Sequence, residues 1–274
     1  MTVELDAALE QWVDDFARRL IAAEDSASTI ARPDFPDSIA DGVRLPLASA
    51  VQQRVVTLRE ATGVHYVGYK VALTNRRRLL SLGLSAPVHG RLRADGAIAS
   101  GGETAFERMI RPRVEPEIAF HLRSELRGPD CTVSDVWRAT AFVSGAIEII
   151  DSRYPVGPLD VACMIADNVS TARHVLGATR AGLAVADLEC LGCVLEIDGE
   201  IVGTGAGAQV LGNPAQSVAE LANALASEGR MLSAGSVVMS GGLIEATPVQ
   251  KDSRVKVRFQ GLEPVTVKFT AGQR

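Results

Sequence analysis

Four cysteines in 274 residues are too few to staple a chain of this size, which excludes a disulfide scaffold of the small secreted kind. Cys190 and Cys193 form a C-x-x-C, but no second ligand pair and no helix start accompanies them. A zinc or redox motif is therefore unsupported, and LECLGCVLEIDGE reads as a packed strand. Positive charge is not in excess: the net charge is −5, which leaves no electrostatic footprint for nucleic acid. The run Arg76-Arg77-Arg78 is short and reads as a solvated helix face. No uninterrupted apolar run nears the ~18 residues of a membrane span. The first residues carry Glu4 and Asp6 where a secretory leader has basic charge. A cytoplasmic protein without a membrane partner is the expectation. The glycine-rich GTGAGA, 203–208, lacks the helix-opening spacing of a dinucleotide fingerprint. It marks close approach of backbone to backbone, or to a ligand.

What is present is an ordinary globular balance, 47% hydrophobic and 22% charged, enough to build a real core. Residues 3–23 place Leu5, Leu9, Trp12, Val13, Phe16, Leu20 and Ile21 at helical spacing. Two prolines in ARPDFPDS, 31–38, break that pattern into a loop. A second helix is expected over 46–63, with Pro46 near its start and Gly63 as its stop. From residue 64 the period changes. Strands are expected over 64–73, 94–99, 113–122, 142–151, 190–197, 200–204, 207–211, 236–240, 254–260 and 264–269, with an Asp198-Gly199 hairpin turn. Helices are sparse: one capped by Thr74, one opened by the capping box TVSD at 132–135, and one opened by Asn213-Pro214 and closed by Gly229. The fold class is α+β, with a helical region over 1–63 and a β-rich body over 64–274.

The segment RVEPEIAFHL, 113–122, carries the chemistry. On a strand, Glu115 and Glu117 project from one face and Pro116 from the other. A proline inside a strand belongs at an edge or a bulge, so the segment borders an opening. The mutual repulsion of two carboxylates can be relieved by a shared proton, by Arg or Lys, or by a divalent cation. Arg113 shares the glutamates' face if the strand is regular there. FVSGAIEIIDSRY, 142–154, sets Glu148 in an apolar run, where a lone charge is costly. Three carboxylates suit Mg²⁺ or Mn²⁺. Pairing of Glu148 with a buried arginine, and E-P-E on a solvated rim, is the alternative.

GYKVALT (68–74), RVEPEIAF (113–120), EIIDSRY (148–154), ADNVS (166–170), GAGAQVLGNP (205–214) and VMSGGL (238–243) together resemble the hydratase/decarboxylase branch of the fumarylacetoacetate hydrolase superfamily. The branch comprises the 2-oxopent-4-enoate hydratases and 4-oxalocrotonate decarboxylases of aromatic meta-cleavage pathways. The resemblance implies that superfamily's β-rich roll or barrel behind a smaller helical region. It makes Glu115, Glu117 and Glu148 ligands of Mg²⁺ or Mn²⁺, and Lys70 the active-site lysine. Asp151, Ser152, Arg153 and Ser170 fall in pocket-lining segments, with Asp151 and Ser170 as catalytic candidates. Leu73 and Gly205 lie in the carrying segments as substrate-binding candidates. The implied ligand is a small 2-oxo acid. Family members are homo-oligomers, and some decarboxylases associate with their pathway hydratase.

Both activities run through one enolate. Decarboxylation needs an electron sink and an oriented leaving group, whereas hydration also needs an acid/base. Family hydratases carry P-D-F-G or P-D-Y-G after the lysine segment; this chain reads PVHG, 87–90, with Val88 in place of the aspartate. His89 is a candidate replacement for the missing acid/base. SGGL and VRFQGLEPV look like the decarboxylases, and GYK and PRVE like the hydratases. A carboxy-lyase acting on a 2-oxo-enedioate such as 4-oxalocrotonate is the expectation. The alternatives are a hydratase of 2-hydroxypenta-2,4-dienoate and a non-catalytic partner subunit of such a hydratase. Arg111, Arg153 and Arg173 are the candidates for the distal carboxylate.

Overall fold

The computed structural model describes residues 6–33, 35, 44–158, 160–181 and 188–272. The expected helix start at 3–5, and residues 34 and 36–38 of the proline loop, lie outside them. Helix α1 (Ala7–Asp25) is capped by Asp6, whose side chain accepts from the Leu9 amide, and buries Val13, Phe16 and Leu20. Helix α2 (Arg44–Ala61) carries Pro46 in its first turn, where a missing N–H costs nothing. The two helices share an apolar cluster with Val88, Tyr154 and Val169 of the β-rich body. The helical region is thus part of the wall around the site.

The remaining elements are β1 (Tyr66–Ala72), α3 (Arg76–Ser81), β2 (Val88–Arg93), β3 (Ala97–Ala99), β4 (Glu103–Ala105), β5 (Arg113–Leu122), α4 (Val133–Ala139), β6 (Thr140–Ile150), α5 (Val161–Ala166), β7 (Thr171–Leu176), β8 (Gly192–Ile197), β9 (Glu200–Ala206), α6 (Pro214–Ser227), β10 (Val237–Met239), β11 (Thr247–Pro248), β12 (Arg254–Phe259) and β13 (Val265–Thr270). One sheet runs β2-β1-β10-β5-β6-β7-β3, with β11 also on β5; the other runs β4-β13-β12-β8-β9. The Asn168 side chain joins the first sheet's far strands. It accepts from the Arg91 amide at 2.7 Å and donates to the Arg91 carbonyl at 3.0 Å, so the sheet curls into a roll.

Strand alternation divides the side chains of that sheet. Ile118, Phe120, Ile147 and Ile149 face outward, into the main core shared with Leu195, Val257 and Phe269 of the second sheet and Leu221 of α6. The opposite face looks into the roll. There Leu92, Ala119, Ala146 and Met239 form a small, fully buried apolar floor.

Several expectations change. Asn75, not Thr74, caps α3, by accepting from the Arg78 amide at 3.1 Å; Thr74 is buried against Gly241 instead. The expected strand at 207–211 is a 3-10 turn over Gly207–Gln209 that leads into α6. Strands β2 and β7 were not expected: PVHGRLR and TARHVL mix charge with short apolar side chains, which blurs period-2 reading. The expected hairpin joins β8 to β9, with Asp198 and Gly199 both at positive φ.

Candidate active site

Glu115 on β5 pairs directly with Glu148 on β6, and the register is regular from Arg113 to His121. Directly paired residues share a face, and so do residues two apart along a strand. Glu115, Glu117 and Glu148 therefore converge inside the roll, with a ligand oxygen from each lying within 4.8 Å of the others. Glu117 and Glu148 are 0% exposed. Pro116 is not on an edge strand. Its carbonyl accepts from the Leu243 amide in the gap between β10 and β11, where the ladder is interrupted. The missing proline N–H falls in that gap.

Lys70 on β1 is 1% exposed, and its Nζ lies 2.9 Å from Glu148 Oε1 and 3.1 Å from Oε2, donating a hydrogen bond to the latter. Glu117 Oε2 accepts from the Gly241 amide at 2.7 Å, while its Oε1 has no hydrogen-bond partner among the described residues. Gly241 has φ +103 and sits where a Cβ would meet Thr74 Oγ1 at 2.6 Å, so glycine is required for this donor to reach the glutamate. Burial, and then the neighbouring Glu148 carboxylate, pushes Glu115 up to about 7 and Glu117 well above the usual carboxylate range. One lysine does not balance two buried carboxylates and a half-buried third. An orphaned buried oxygen and a set of hard oxygen donors fit a divalent cation of the magnesium class.

At the Arg113 end of β5, two residues before Glu115, opens a cavity of about 670 Å³, lined by Arg111, Arg113, Ser152, Met164, Ser170 and Val249 among others. It lies at the rim where β1, β6 and β10 end and β5 and β7 begin. Backbone strain concentrates at this rim. Leu73 has φ 60, and Asn168, Val169 and Ser170 have φ 49, 54 and 59 in succession. A β-branched residue in that region is a rare conformer, of the kind that collects at functional sites.

Other candidate residues stand elsewhere. His89 pairs with Val71, whereas Lys70 pairs with Gly90, so alternation turns the imidazole to the face opposite the lysine. It stacks on Tyr69 at 5.9 Å, and burial, with Arg230, Arg91 and Lys70, pushes it down to about 4. It is not placed to act as the acid/base at the glutamates. Val88 pairs with Ala72 and does share the face of Lys70. Arg153 does not reach into the cavity. Its Nε donates to Asp167 Oδ1, its Nη1 to the Asp151 and Thr171 carbonyls and its Nη2 to the Asp167 carbonyl. Asp151 accepts from the Ile110 and Arg111 amides at 2.7 and 2.6 Å, so its carboxylate anchors the rim. A Cβ at Gly205 would sit 2.1 Å from the Leu243 carbonyl oxygen, so this glycine lets β9 approach the segment that follows Gly241. Leu73 packs beside the cluster built by α1 and α2. Sequence reasoning missed the Gly241 amide, which the Gly-Gly of VMSGGL marks, and Asp167, which lies in the ADNVS segment but was not singled out.

No family model matches the chain. The chain is 40% identical over 237 residues to a 4-oxalocrotonate decarboxylase of Pseudomonas sp. (strain CF600), covering 86% of this chain and 88% of that one. It is 35% identical over 260 residues to a 2-keto-4-pentenoate hydratase of Burkholderia vietnamiensis, covering 94% and 97%. Among solved structures, the 4-oxalocrotonate decarboxylase from Pseudomonas putida G7, complexed with magnesium and adipate, superposes with a TM-score of 0.90 at 34% identity, over 98% of this chain and 100% of that one. No helix among the described residues is long and apolar enough to cross a membrane. With this fold, these glutamates and these relatives, the chain belongs to the hydratase/decarboxylase branch of the fumarylacetoacetate hydrolase superfamily, a family of lyases.

Proposed function

We propose that the chain is a magnesium-dependent carboxy-lyase that converts a 2-oxo-enedioate such as 4-oxalocrotonate to a 2-hydroxydienoate and CO₂. The observation that carries this choice over hydration is Val88. On the face of Lys70, where the hydratases it resembles present an aspartate, the chain offers only an isopropyl group, and His89 points the other way. Water addition requires a group that moves a proton to or from carbon, and Val88 cannot do so.

Glu115, Glu117 and Glu148 would hold the cation. When bound, it supplies Lewis-acid stabilisation for the electron pair that a departing carboxylate leaves on the conjugated 2-oxo acid. Lys70 donates a hydrogen bond to one oxygen of Glu148, lies in ion-pair distance of the other, and keeps positive charge beside the carboxylates. The Gly241 amide holds one oxygen of Glu117 and leaves the other uncommitted. Ser152 and Ser170 line the cavity, the Ser152 hydroxyl accepting from the Tyr154 amide, and Met164 and Val249 line it with apolar side chains. Breaking the bond to the distal carboxylate needs no base. The electron pair stays with the carbon chain, CO₂ leaves, and one proton from solvent completes the dienoate. Purified protein with Mg²⁺ and 4-oxalocrotonate should release CO₂ in step with dienoate. Water addition without CO₂ release would overturn the proposal in favour of the hydratase.

A further inference from the structure

We infer that a second, smaller cavity, between the helical region and the β-rich body, binds a monoatomic anion of the chloride class. The inference does not depend on which reaction the glutamates support. The cavity lies where α1 and α2 meet β2 and β7, beside the Asn168 side chain that joins the far strands of the first sheet. Its volume is about 20 Å³. A single water needs roughly 10–15 Å³, so the cavity admits one atom-sized guest and no carboxylate or phosphate.

The lining is rich in unmet donors. Arg59 Nε, Arg91 Nε, Thr171 Oγ1 and His174 Nε2 are all buried and have no hydrogen-bond partner among the described residues. His174 as a whole is 1% exposed. A guanidinium Nε–H only donates, and a hydroxyl and an imidazole can each donate. The carboxylates at the cavity are already engaged. Glu24 accepts from Arg93 on one oxygen and from Arg59 on the other, and both oxygens of Asp167 accept from Arg153. A water would bring two hydrogens in need of acceptors. An anion brings none and accepts from every side.

Charge points the same way. Four guanidiniums, of Arg59, Arg91, Arg93 and Arg153, line the cavity against the carboxylates of Glu24 and Asp167. Arg59 and Arg93 also pair with Asp25 and Asp95, but those side chains are more than half exposed, where water screens them. Arg91 has no ion pair among the described residues and lies over the rings of Tyr66 and Tyr69 at 5.0 and 4.7 Å. One negative charge among these groups is favoured, and burial strengthens the attraction. The guest would also tie parts of the fold together. Thr171 Oγ1 lies 2.7 Å from where a Cβ of Gly90 would stand, and His174 pairs directly with Glu148. An anion held here clamps α2 onto β2 and onto the strand beside Glu148.

The test uses halides as probes on the full chain. Crystals soaked in sodium bromide should show an anomalous peak in this cavity. In solution, chloride at about ten- to a hundredfold above its Kd should raise the melting temperature by roughly 3–10 °C relative to gluconate at equal ionic strength. Gluconate is too large to enter. Thr171→Val keeps the shape of the side chain and removes the hydroxyl, and should weaken halide binding by about tenfold or more. Arg91→Gln should abolish both the peak and the chloride shift, each variant being compared with its own melt in gluconate. The inference is overturned if the cavity gives no anomalous peak, if bromide appears only at exposed arginines as an adventitious ion only, or if the chloride shift survives unchanged in both variants.

Discussion

Lys70→Met tests the balance of charge inside the roll. Methionine keeps most of the length and the apolar stem of the lysine but removes the ammonium that lies 2.9 Å from Glu148. Both partners are buried to within 1% of full burial, so solvent offers little compensation. Removing one member of a buried ion pair costs about 3–5 kcal/mol, because the other charge is left uncompensated. For a chain of this size that is a fall in melting temperature of roughly 6–20 °C in EDTA. The loss should be larger at pH 8 than at pH 6, since protonation of Glu115 and Glu117, both raised by burial, relieves the repulsion at the lower pH. Magnesium should restore most of the stability, and its stabilising shift should exceed that of wild type, because the three carboxylates then face the cation without a competing ammonium. Calorimetric melts with and without Mg²⁺ provide the measurement. A variant that melts with wild type in EDTA, or gains less from magnesium, would show that Lys70 and the glutamates do not share one electrostatic balance.

In wild type without metal, Glu115 has a folded value of about 7, above its unfolded 4.5. Its folded form holds the extra proton, so stability should fall as pH rises through that interval. Saturating Mg²⁺ should flatten the slope, and denaturant titrations at pH 5, 6, 7 and 8 check the sign. Val88→Asp puts a carboxylate on the face of Lys70 at a buried position; it should cost about 1–3 kcal/mol and divert part of the product to the hydrated keto acid, as read by NMR of the reaction mixture. An unchanged product spectrum counts against Val88 as the point of divergence. Arg153→Met strips the counter-charge from buried Asp167 and should destabilise by about 3–5 kcal/mol in urea unfolding. Unimpaired stability with a raised KM would return Arg153 to substrate binding.

The three glutamates were legible because strand alternation is strict: E-P-E on one strand and a lone glutamate in an apolar run both announce a charged inner face. The pairing of Glu115 with Glu148 was not legible, since register depends on contacts between strands far apart in sequence. His89 shows the same limit from the other side. Its neighbour Val88 occupies the informative position, and only the β1–β2 pairing reveals that one residue's difference turns the imidazole away from the lysine. The hydrogen bonds of Arg153 and Asp151 were not legible either, because pocket-lining segments also contain residues that stiffen them, and sequence does not say which donors are already spent. The strand over β7 was missed because His174 and Arg173 interrupt its apolar pattern.

The floor of Leu92, Ala119, Ala146 and Met239 closes the roll beneath the glutamates. Among the described residues, that floor stands at the opposite end of the inner face from the rim where the cavity opens. Under the proposed decarboxylation, CO₂ and the dienoate would both leave past that rim. The slower of the two to depart keeps the next molecule waiting, so the retained product should inhibit in direct competition with fresh substrate.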